Sequence, residues 1–423
     1  MAVPTTALWL GYRVSRLLLL LPSATYRAKA FLDAAARLDA DVVVASDHRQ
    51  ALAGALGDRA LRVDLRRPEA AAQAIVELAQ RVPFDAVVAV DDQGVLVAAL
   101  AAERLGLAHN PPEAIMAACD KAAMREAFAS VALPQPAFRV VVGGAQVASL
   151  AGEVGFPCVV KPVSLSASRG VIRADTPMEA EVAATRIREI LRQAGEDPAG
   201  LLLVERYIPG AEVAVEGMLR AGELELVAIF DKPDPLEGPY FEETIYVTPS
   251  RLPTSTLTTI GRLTSEAVAA LGLVEGPIHA ELRVDGGRAW LLELAARSIG
   301  GLCSRSLRFG LGVSFEELII RRALGLSLDR QTREAAASGV MMLPIPRAGV
   351  LRGVGGQDAA LAVAGVTGLE VSIAPGKRVK PLPEGDRYLG FLFARGETAV
   401  GVEQALRVAY GRLDVVIVEP CGG

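Results

Sequence analysis

The chain has 423 residues, 51% of them hydrophobic and 22% charged, with a formal net charge of −5. That length calls for about two to four compact units, and the apolar fraction excludes global disorder. The acidic balance argues against a nucleic-acid protein working through bulk charge and leaves room only for a local basic pocket. Cys119, Cys158, Cys303 and Cys421 are scattered without CxxC spacing, so neither a zinc site nor a disulfide framework is indicated. Reduced, mostly buried thiols in a cytoplasmic protein are expected.

Leu17–Leu21 is the strongest apolar run, and Pro22 closes it far short of the ~20 residues that a membrane span requires. Arg13 and Arg16 before it faintly mimic a secretion signal, but no small-residue cleavage site follows cleanly. A buried parallel strand is the expectation. Helical periodicity follows over Tyr26–Leu38 (Phe31, Ala34, Ala35, Leu38), then a strand at Asp41–Ala45, a helix at Glu69–Arg81 and a strand at Asp85–Val90 ending on Asp91-Asp92. A helix over Gly94–Leu105 stops at Gly106. This is the βαβα pattern of an open parallel sheet, whose ligands bind beyond the carboxyl ends of its strands. Asp91 and Asp92 sit at such an end, where a capping role is equally natural.

Asn110-Pro111-Pro112 breaks the pattern, and one helix is expected over Pro112–Phe128, with Asp120 and Lys121 inside it. Pro134 and Pro136 mark a second break. Strands are expected at Arg139–Val142 and Cys158–Lys161, with a helix over Gln146–Val154 between them. The loop Ser164–Gly170, helix Pro177–Ala194 and strand Leu201–Glu205 follow. Glu212–Leu219 and Leu224–Asp231 alternate like antiparallel strands. Ile278–Val284 and Ala289–Leu294 form a hairpin around Asp285-Gly286-Gly287, a strong turn signal. A helix near Ser314–Leu324 precedes Gly339–Glu419, expected to be a separate C-terminal unit of three or four strands and helices at Gln357–Val363 and Thr398–Tyr410. The resulting division is 1–115, 116–335 with a smaller lobe over 135–205, and 336–423.

The common nucleotide and hydrolase signatures are absent: no GxxxxGK[ST], no GxGxxG after the first strand, no HExxH and no GxSxG. Three histidines, His48, His109 and His279, exclude a histidine-rich metal site. What remains is an ordered series. Lys121 stands in DKAAMR, and Lys161 closes the apolar strand FPCVVKP, where a buried lysine is costly unless an anion meets it. The small-residue loop Ser164–Gly170 can offer backbone N–H groups to phosphate oxygens, with Arg169 adding charge. Each alone reads as a solvated lysine or an ordinary loop; their order is what carries weight.

ERYIPGAE follows, with Glu205 ending one apolar strand and Glu212 opening the next. It can supply an apolar slot for a base and a carboxylate for a ribose. Last comes PIHAELRVDGGRAWLLELAARSIGG, in which Glu281 and Glu293 lie on paired strands flanking one turn. Two close carboxylates repel unless a cation lies between them, and Mg²⁺ is the natural choice beside phosphates. Arg297 then stands where a fixed positive charge stabilises a transferring phosphoryl group. His279 is a candidate for substrate contact or proton abstraction, with a packed supporting histidine as the equal alternative. Arg305 and Arg308 offer forks for a carboxylate, surface roles being at least as natural.

In this order, VDDQG through DKAAMRE, FPCVVKP, SLSASRG, VERYIPGAEVAVEG, IHAEL and LLELAARSIGG resemble the ATP-grasp superfamily and, within it, its L-amino acid ligase branch. GVLRGV through VKPLPEGDRYLGFLFARGET resembles the ligases' C-terminal subdomain, so the likeness spans nearly the whole chain. It implies an α/β fold: an N-terminal parallel open α/β domain, a central two-lobed α+β ATP-grasp domain and a small C-terminal α+β subdomain. It implies ATP with Mg²⁺, Mn²⁺ being able to substitute. Lys121 and Lys161 would hold the α- and β-phosphates, and Ser164, Ser166, Ser168 and Gly170 would belong to the covering loop. Glu205, Tyr207 and Ile208 would form the adenine hinge and Glu212 would hold the ribose. Glu281 and Glu293 would ligate magnesium, and Arg297, Lys161 and His279 would serve the chemistry. The implied reaction joins a carboxylate to an amine through an acyl phosphate, with amino acids as substrates, no nucleic-acid or membrane partner, and a homodimer as the common assembly. Many family members carry Asn two residues after the second metal glutamate; here it is Ala295, which bears on how many magnesium ions are held. Neighbouring readings are a purine-pathway ligase or carboxylase and a non-catalytic nucleotide binder. A biotin-dependent carboxylase is disfavoured because no Met-Lys-Met acceptor segment occurs.

Overall fold

A computed structural model describes residues 14–23, 25–48, 57–143, 146–310, 312–328 and 332–419. Arg13 and Cys421 lie outside the described residues. The chain divides into two compact units, Met1–Ala108 with Glu316–Leu328, and His109–Phe315 with Asp329–Gly423.

The first unit runs β1 (Arg16–Leu20), α1 (Ala28–Arg37), β2 (Asp41–Ser46), β3 (Ala60–Arg62), α2 (Pro68–Ala79), β4 (Ala86–Ala89) and α3 (Asp92–Leu105). Its four strands are parallel in the order β3-β2-β1-β4. Leu17, Leu18, Leu19 and Leu20 are all 0% exposed, because β1 is central and both faces are covered. Each such leucine contributes roughly 1.5–3 kcal/mol of burial before entropy is counted. The helix α3 starts two residues before the expected Gly94. A Cβ at Gly94 would stand 3.2 Å from Cβ of both Leu20 and Ala89, so glycine lets the helix approach the sheet this closely. The later helix Phe315–Ala323 returns the chain to this unit, and its Glu317 accepts from Arg37 Nε at 3.0 Å.

In the second unit, Asn110 ties down the incoming chain. Its side chain accepts from the backbone N–H of Val274 and Glu275 and donates to Glu275 O. The helix expected over Pro112–Phe128 is two helices, α4 (Pro112–Cys119) and α5 (Lys121–Ser130). Asp120 breaks it, with φ −106° and ψ 111°, its Oδ1 accepting from the N–H of Ala122 and Ala123. An aspartate that caps so well outcompetes helix continuation at its own residue.

β5 (Phe138–Val141), α6 (Val147–Val154), β6 (Cys158–Pro162), β7 (Ile172–Ala174), α7 (Pro177–Ala194) and β8 (Leu202–Arg206) form an antiparallel sheet, order β5-β8-β6-β7, with both helices packed on one core. β9 (Ala211–Arg220), β10 (Glu223–Lys232), β11 (Ile245–Thr248), α8 (Thr254–Leu271), β12 (Gly276–Asp285) and β13 (Arg288–Ala295) build the larger sheet. The 18-residue α8 was not anticipated. Its sequence is rich in threonine and serine, poor helix formers, and burial of Ile260, Leu263, Ala267, Val268 and Leu271 overrides that propensity.

After the two-residue strands β14 (Arg308–Phe309) and β15 (Val313–Ser314) come β16 (Ala337–Leu343), β17 (Gly349–Gly355), β18 (Val366–Val371), β19 (Arg378–Val379), β20 (Gly390–Gly396) and β21 (Asp414–Val418). The C-terminal segment thus has six strands rather than three or four. It is also not separate in its hydrogen bonding: the main sheet runs β13-β12-β9-β10-β11-β16-β20-β18, with β17, β19 and β21 in a small sheet of their own. No helix among the described residues is long and apolar enough to cross a membrane.

Cys158 is buried on β6 and burial pushes its thiol up to about 11, whereas Cys119 is exposed. In the folded protein at pH 8, iodoacetamide should therefore alkylate Cys119 and leave Cys158 unmodified by peptide mapping; equal labelling would contradict this burial.

Candidate functional site

Two sheets of the second unit bring the lysines and glutamates together. Lys121, the first residue of α5, is buried. Its Nζ donates to Leu165 O in the Ser164–Gly170 loop at 2.8 Å and lies 3.4 Å from Glu293 Oε1 on β13. Lys161 on β6 is also buried, with its Nζ 2.7 Å from Glu205 Oε2. Burial lowers the Lys161 pKa, and the Glu205 charge opposes that. Burial alone would raise the Glu205 carboxyl, but Arg125 and Lys161 hold it down at about 2. The Glu205 carboxylate is thereby committed to two cations. Arg125, which the sequence reading passed over, donates its Nε to Glu205 Oε1 at 2.5 Å.

The loop itself turns through positive φ at Ala167, Ser168 and Gly170. Ser164 and Ser166 are exposed and Ser168 is half-buried. Gly170 N–H donates to Pro383 O at 3.1 Å, pinning the loop to the C-terminal segment.

At the hinge, Tyr207 stacks on Phe241, with the Arg173 and Arg283 guanidiniums 4.6 and 5.0 Å from its ring centre. Arg283 also donates to Tyr207 Oη, Ile208 O and Leu236 O. Gly210 follows at φ 97°, and a Cβ there would lie 2.1 Å from Val284 O, so only glycine lets the chain pass β12 here. Glu212 is paired across the sheet with Lys232 on β10 and Arg283 on β12. Its two oxygens accept from Lys232 Nζ at 2.7 Å and Arg283 Nε at 2.9 Å.

The period of two along β12 sends His279, Glu281 and Arg283 to one face, opposite Glu212 and Glu216 on β9. Glu281 and Glu293 are register partners, with a bulge directly after Glu281. Glu281 accepts from Lys232 Nζ at 2.9 Å, and Lys232 also donates to Glu243. One oxygen from each of Glu212, Glu243 and Glu281 falls within 4.8 Å of the others, with Lys232 as their shared cation. Burial, reinforced by the Glu281 charge, raises Glu243 to about 7, whereas Lys232 and His279 keep Glu281 ionised against its burial.

His279 Nδ1 meets Glu216 Oε1 at 2.5 Å, and Nε2 lies 3.4 Å from Glu281 Oε1. Burial alone would lower its pKa; the Glu216 carboxylate overrides that and raises it to about 9. Placed between the Glu216 and Glu281 carboxylates, His279 bonds both and so orients Glu281. Glu216, 0% exposed, also accepts from Ile299 N–H at 2.9 Å and so anchors the turn that carries Arg297. Arg297 is half-buried and its Nη1 donates to Ser298 O at 3.1 Å. Arg305, open to a carboxylate fork or a surface role, pairs with Glu370 at 2.6 Å. Arg308 O accepts from Glu334 N–H at 2.9 Å.

Arg125, Glu216 and Arg283 are the members that sequence reasoning missed. For Arg283 and Glu216 the alternation His-x-Glu-x-Arg on β12 against Glu-x-x-x-Glu on β9 was the available signal; Arg125 and Lys232 gain their partners only through tertiary contacts. The set fits a polyphosphate with a divalent cation. Arg169 Nε in the loop is buried without an acceptor among the described residues, and Lys121, Lys161, Arg125 and Arg169 outnumber the carboxylates Glu205 and Glu293 beside them. Glu281 and Glu293 supply the oxygen donors that Mg²⁺ prefers.

Three family models match the chain: an ATP-grasp N-terminal domain over residues 32–109, an ATP-grasp domain over 154–306, and L-amino acid ligase C-terminal domain 2 over 341–418. Alanine–anticapsin ligase of Bacillus subtilis is 29% identical over 185 residues, 40% of this chain and 39% of that protein. D-alanine–D-alanine ligase of Verminephrobacter eiseniae is 30% identical over 225 residues, 50% of this chain and 64% of that one. The chain thus spans half or less of the first curated relatives it matches. Among solved structures, an L-amino acid ligase from Bacillus licheniformis superposes with TM-score 0.78 at 22% identity, covering 96% of this chain and 99% of that one. An N5-carboxyaminoimidazole ribonucleotide synthetase from Thermotoga maritima does so with TM-score 0.70 at 17% identity, covering 96% and 100%. At these identities the superpositions establish the fold.

Proposed function

Because this chain is an ATP-grasp protein with the C-terminal domain of the L-amino acid ligases, we propose that it is an ATP-dependent carboxylate–amine ligase that joins amino acids. The observation that carries this reading is the meeting of Lys121, its loop partner Leu165 and Glu293 at one point, where nucleotide phosphates and a metal-bearing carboxylate have to converge.

On this reading Lys121 and Lys161 hold the α- and β-phosphates and the Ser164–Gly170 loop covers them, excluding water that would hydrolyse an activated acid. Glu281 and Glu293 would hold Mg²⁺, which neutralises phosphate charge when bound. A substrate carboxylate oxygen bonds the γ-phosphorus as the bond to the β-phosphate bridging oxygen breaks, giving an acyl phosphate and ADP. The amine nitrogen then bonds the carbonyl carbon, phosphate leaves, and the nitrogen's proton passes to phosphate or solvent. Arg297 stabilises charge on the transferring phosphoryl group and on the acyl phosphate. His279 keeps Glu281 in place. Tyr207 and Ile208, next to Glu205 in the chain, line the base, and Glu212 takes the ribose by exchanging one of its two cationic partners. The partners are small molecules rather than nucleic acid or membrane, the setting is cytoplasmic, and a homodimer is the expected assembly.

The test is ADP release from Mg-ATP against amino acids singly and in pairs, with products weighed by mass spectrometry. Release that requires two amino acids and yields their condensation mass is the expected result. Tight ATP binding with no ADP release across amino acids and wider acids alike would overturn it in favour of a nucleotide sensor.

A further inference from the structure

Arg125 is 1% exposed, sits one helical turn after Lys121 on α5, and touches three separate elements. Its Nε donates to Glu205 Oε1 on β8 at 2.5 Å. Its two Nη atoms donate to Leu291 O at 3.3 Å and Leu292 O at 2.5 Å on β13, directly before Glu293. Nη1 also reaches Gln135 Oε1 at 3.4 Å, while Gln135 Nε2 donates back to Arg125 O at 2.8 Å. Glu205 in turn holds Lys161 Nζ on β6 with its other oxygen at 2.7 Å.

Neutralising Glu205 does not require this arginine, since Lys161 already does so. A second buried cation on the same carboxylate leaves a net positive charge in a low-dielectric place, which is costly unless it does something else. What Arg125 alone supplies is geometry. A planar fork reaches a carboxylate on one side and two backbone carbonyls on the other, which a point-charge ammonium cannot do.

We propose that Arg125 is a positioning residue for nucleotide binding: through Glu205 it fixes the Lys161 ammonium, and through the carbonyls of Leu291 and Leu292 it holds β13, and with it Glu293, at a set distance from that ammonium. The small sheet that carries Lys161 and the large sheet that carries Glu293 are thus joined by one side chain just beneath the phosphate-binding groups. This inference rests on the nucleotide reading of the site.

The experiment is a double-mutant cycle on Mg-ADP affinity by calorimetry with wild type, Arg125→Lys, Lys161→Met and the double variant. Wild-type binding that Lys161→Met weakens tests the nucleotide reading by itself. With that in hand, Arg125→Lys should weaken binding about tenfold in the wild-type background and less than about twofold when Lys161 is already gone, because coupled residues are not additive. Equal weakening in both backgrounds, or none in wild type, overturns the inference and leaves the nucleotide reading standing. Failure of wild type to bind Mg-ADP removes both. If Arg125→Lys does not fold, Glu205→Gln, which keeps the volume, takes its place in the cycle and the same two comparisons decide.

Discussion

Arg297→Ala should lower amino-acid-dependent ADP release about 10³-fold while leaving Mg-ADP affinity within about threefold of wild type. The split follows from where its charge acts. An arginine that meets a transferring phosphoryl group interacts most strongly when negative charge is spread over that group, so its loss falls on kcat rather than on ground-state binding. The turn that carries it keeps a support besides the guanidinium's bond to Ser298 O, because Ile299 N–H is held by the buried Glu216 at 2.9 Å. The alanine variant is therefore expected to fold, with an unchanged melting temperature. Turnover within about tenfold of wild type in a folded variant would remove Arg297 from the mechanism.

Lys232→Met should produce the largest loss of stability of any single substitution at the site, about 3–5 kcal/mol. Lys232 is 6% exposed and is the shared cation of Glu212, Glu243 and Glu281. Methionine keeps the packing of the aliphatic stem and deletes the charge. Glu212 would still have Arg283, and Glu281 would still have His279. Glu243 would keep the Tyr388 hydroxyl, 3.4 Å away, and its contact with the Glu281 carboxylate, neither of which supplies a positive charge. Adding Glu243→Gln to Lys232→Met should accordingly recover a sizeable part of the loss in urea unfolding. A Lys232→Met protein within about 1 kcal/mol of wild type would show that water or proton uptake relieves the cluster more cheaply than the burial suggests.

The parts of the fold that could be read from the sequence are those specified locally. Leu17–Leu21 announces a central parallel strand because five leucines in succession suit a strand covered on both faces. Asp285-Gly286-Gly287 announces its hairpin because two positive-φ residues suit the turn between β12 and β13. Asp120 shows the limit: it is as good a helix cap as a helix-surface residue, and only the bonds from Ala122 and Ala123 distinguish the two. The same holds at the site. Lys161, Glu281 and Glu293 stand out as charges inside apolar strings, and Lys121 by its place in the ordered series. Arg125 looks like any helix-surface arginine until the carbonyls of β13, far along the chain, are brought to it. Glu205 stood beside the hinge in sequence, yet the alternation of β8 turns its carboxylate to Lys161. Which oxygen meets which cation is decided by register and by contacts between sheets, and neither is encoded within a short window.

The main sheet has a consequence for how the protein is made. β11 pairs with β10 on one side and, on the other, with β16, whose Ser338 bonds opposite Thr248. On the ribosome β11 emerges well before that partner, and at about 5–20 residues per second the wait lasts several seconds. Through that interval the growing polypeptide presents the apolar edge Ile245-Tyr246-Val247, a surface open to mispairing with a neighbouring nascent chain. Ribosome pausing or rare codons placed between β11 and β16 should lengthen the exposure and lower soluble yield, whereas the same pauses after β20, which completes the other side of β16, should cost little.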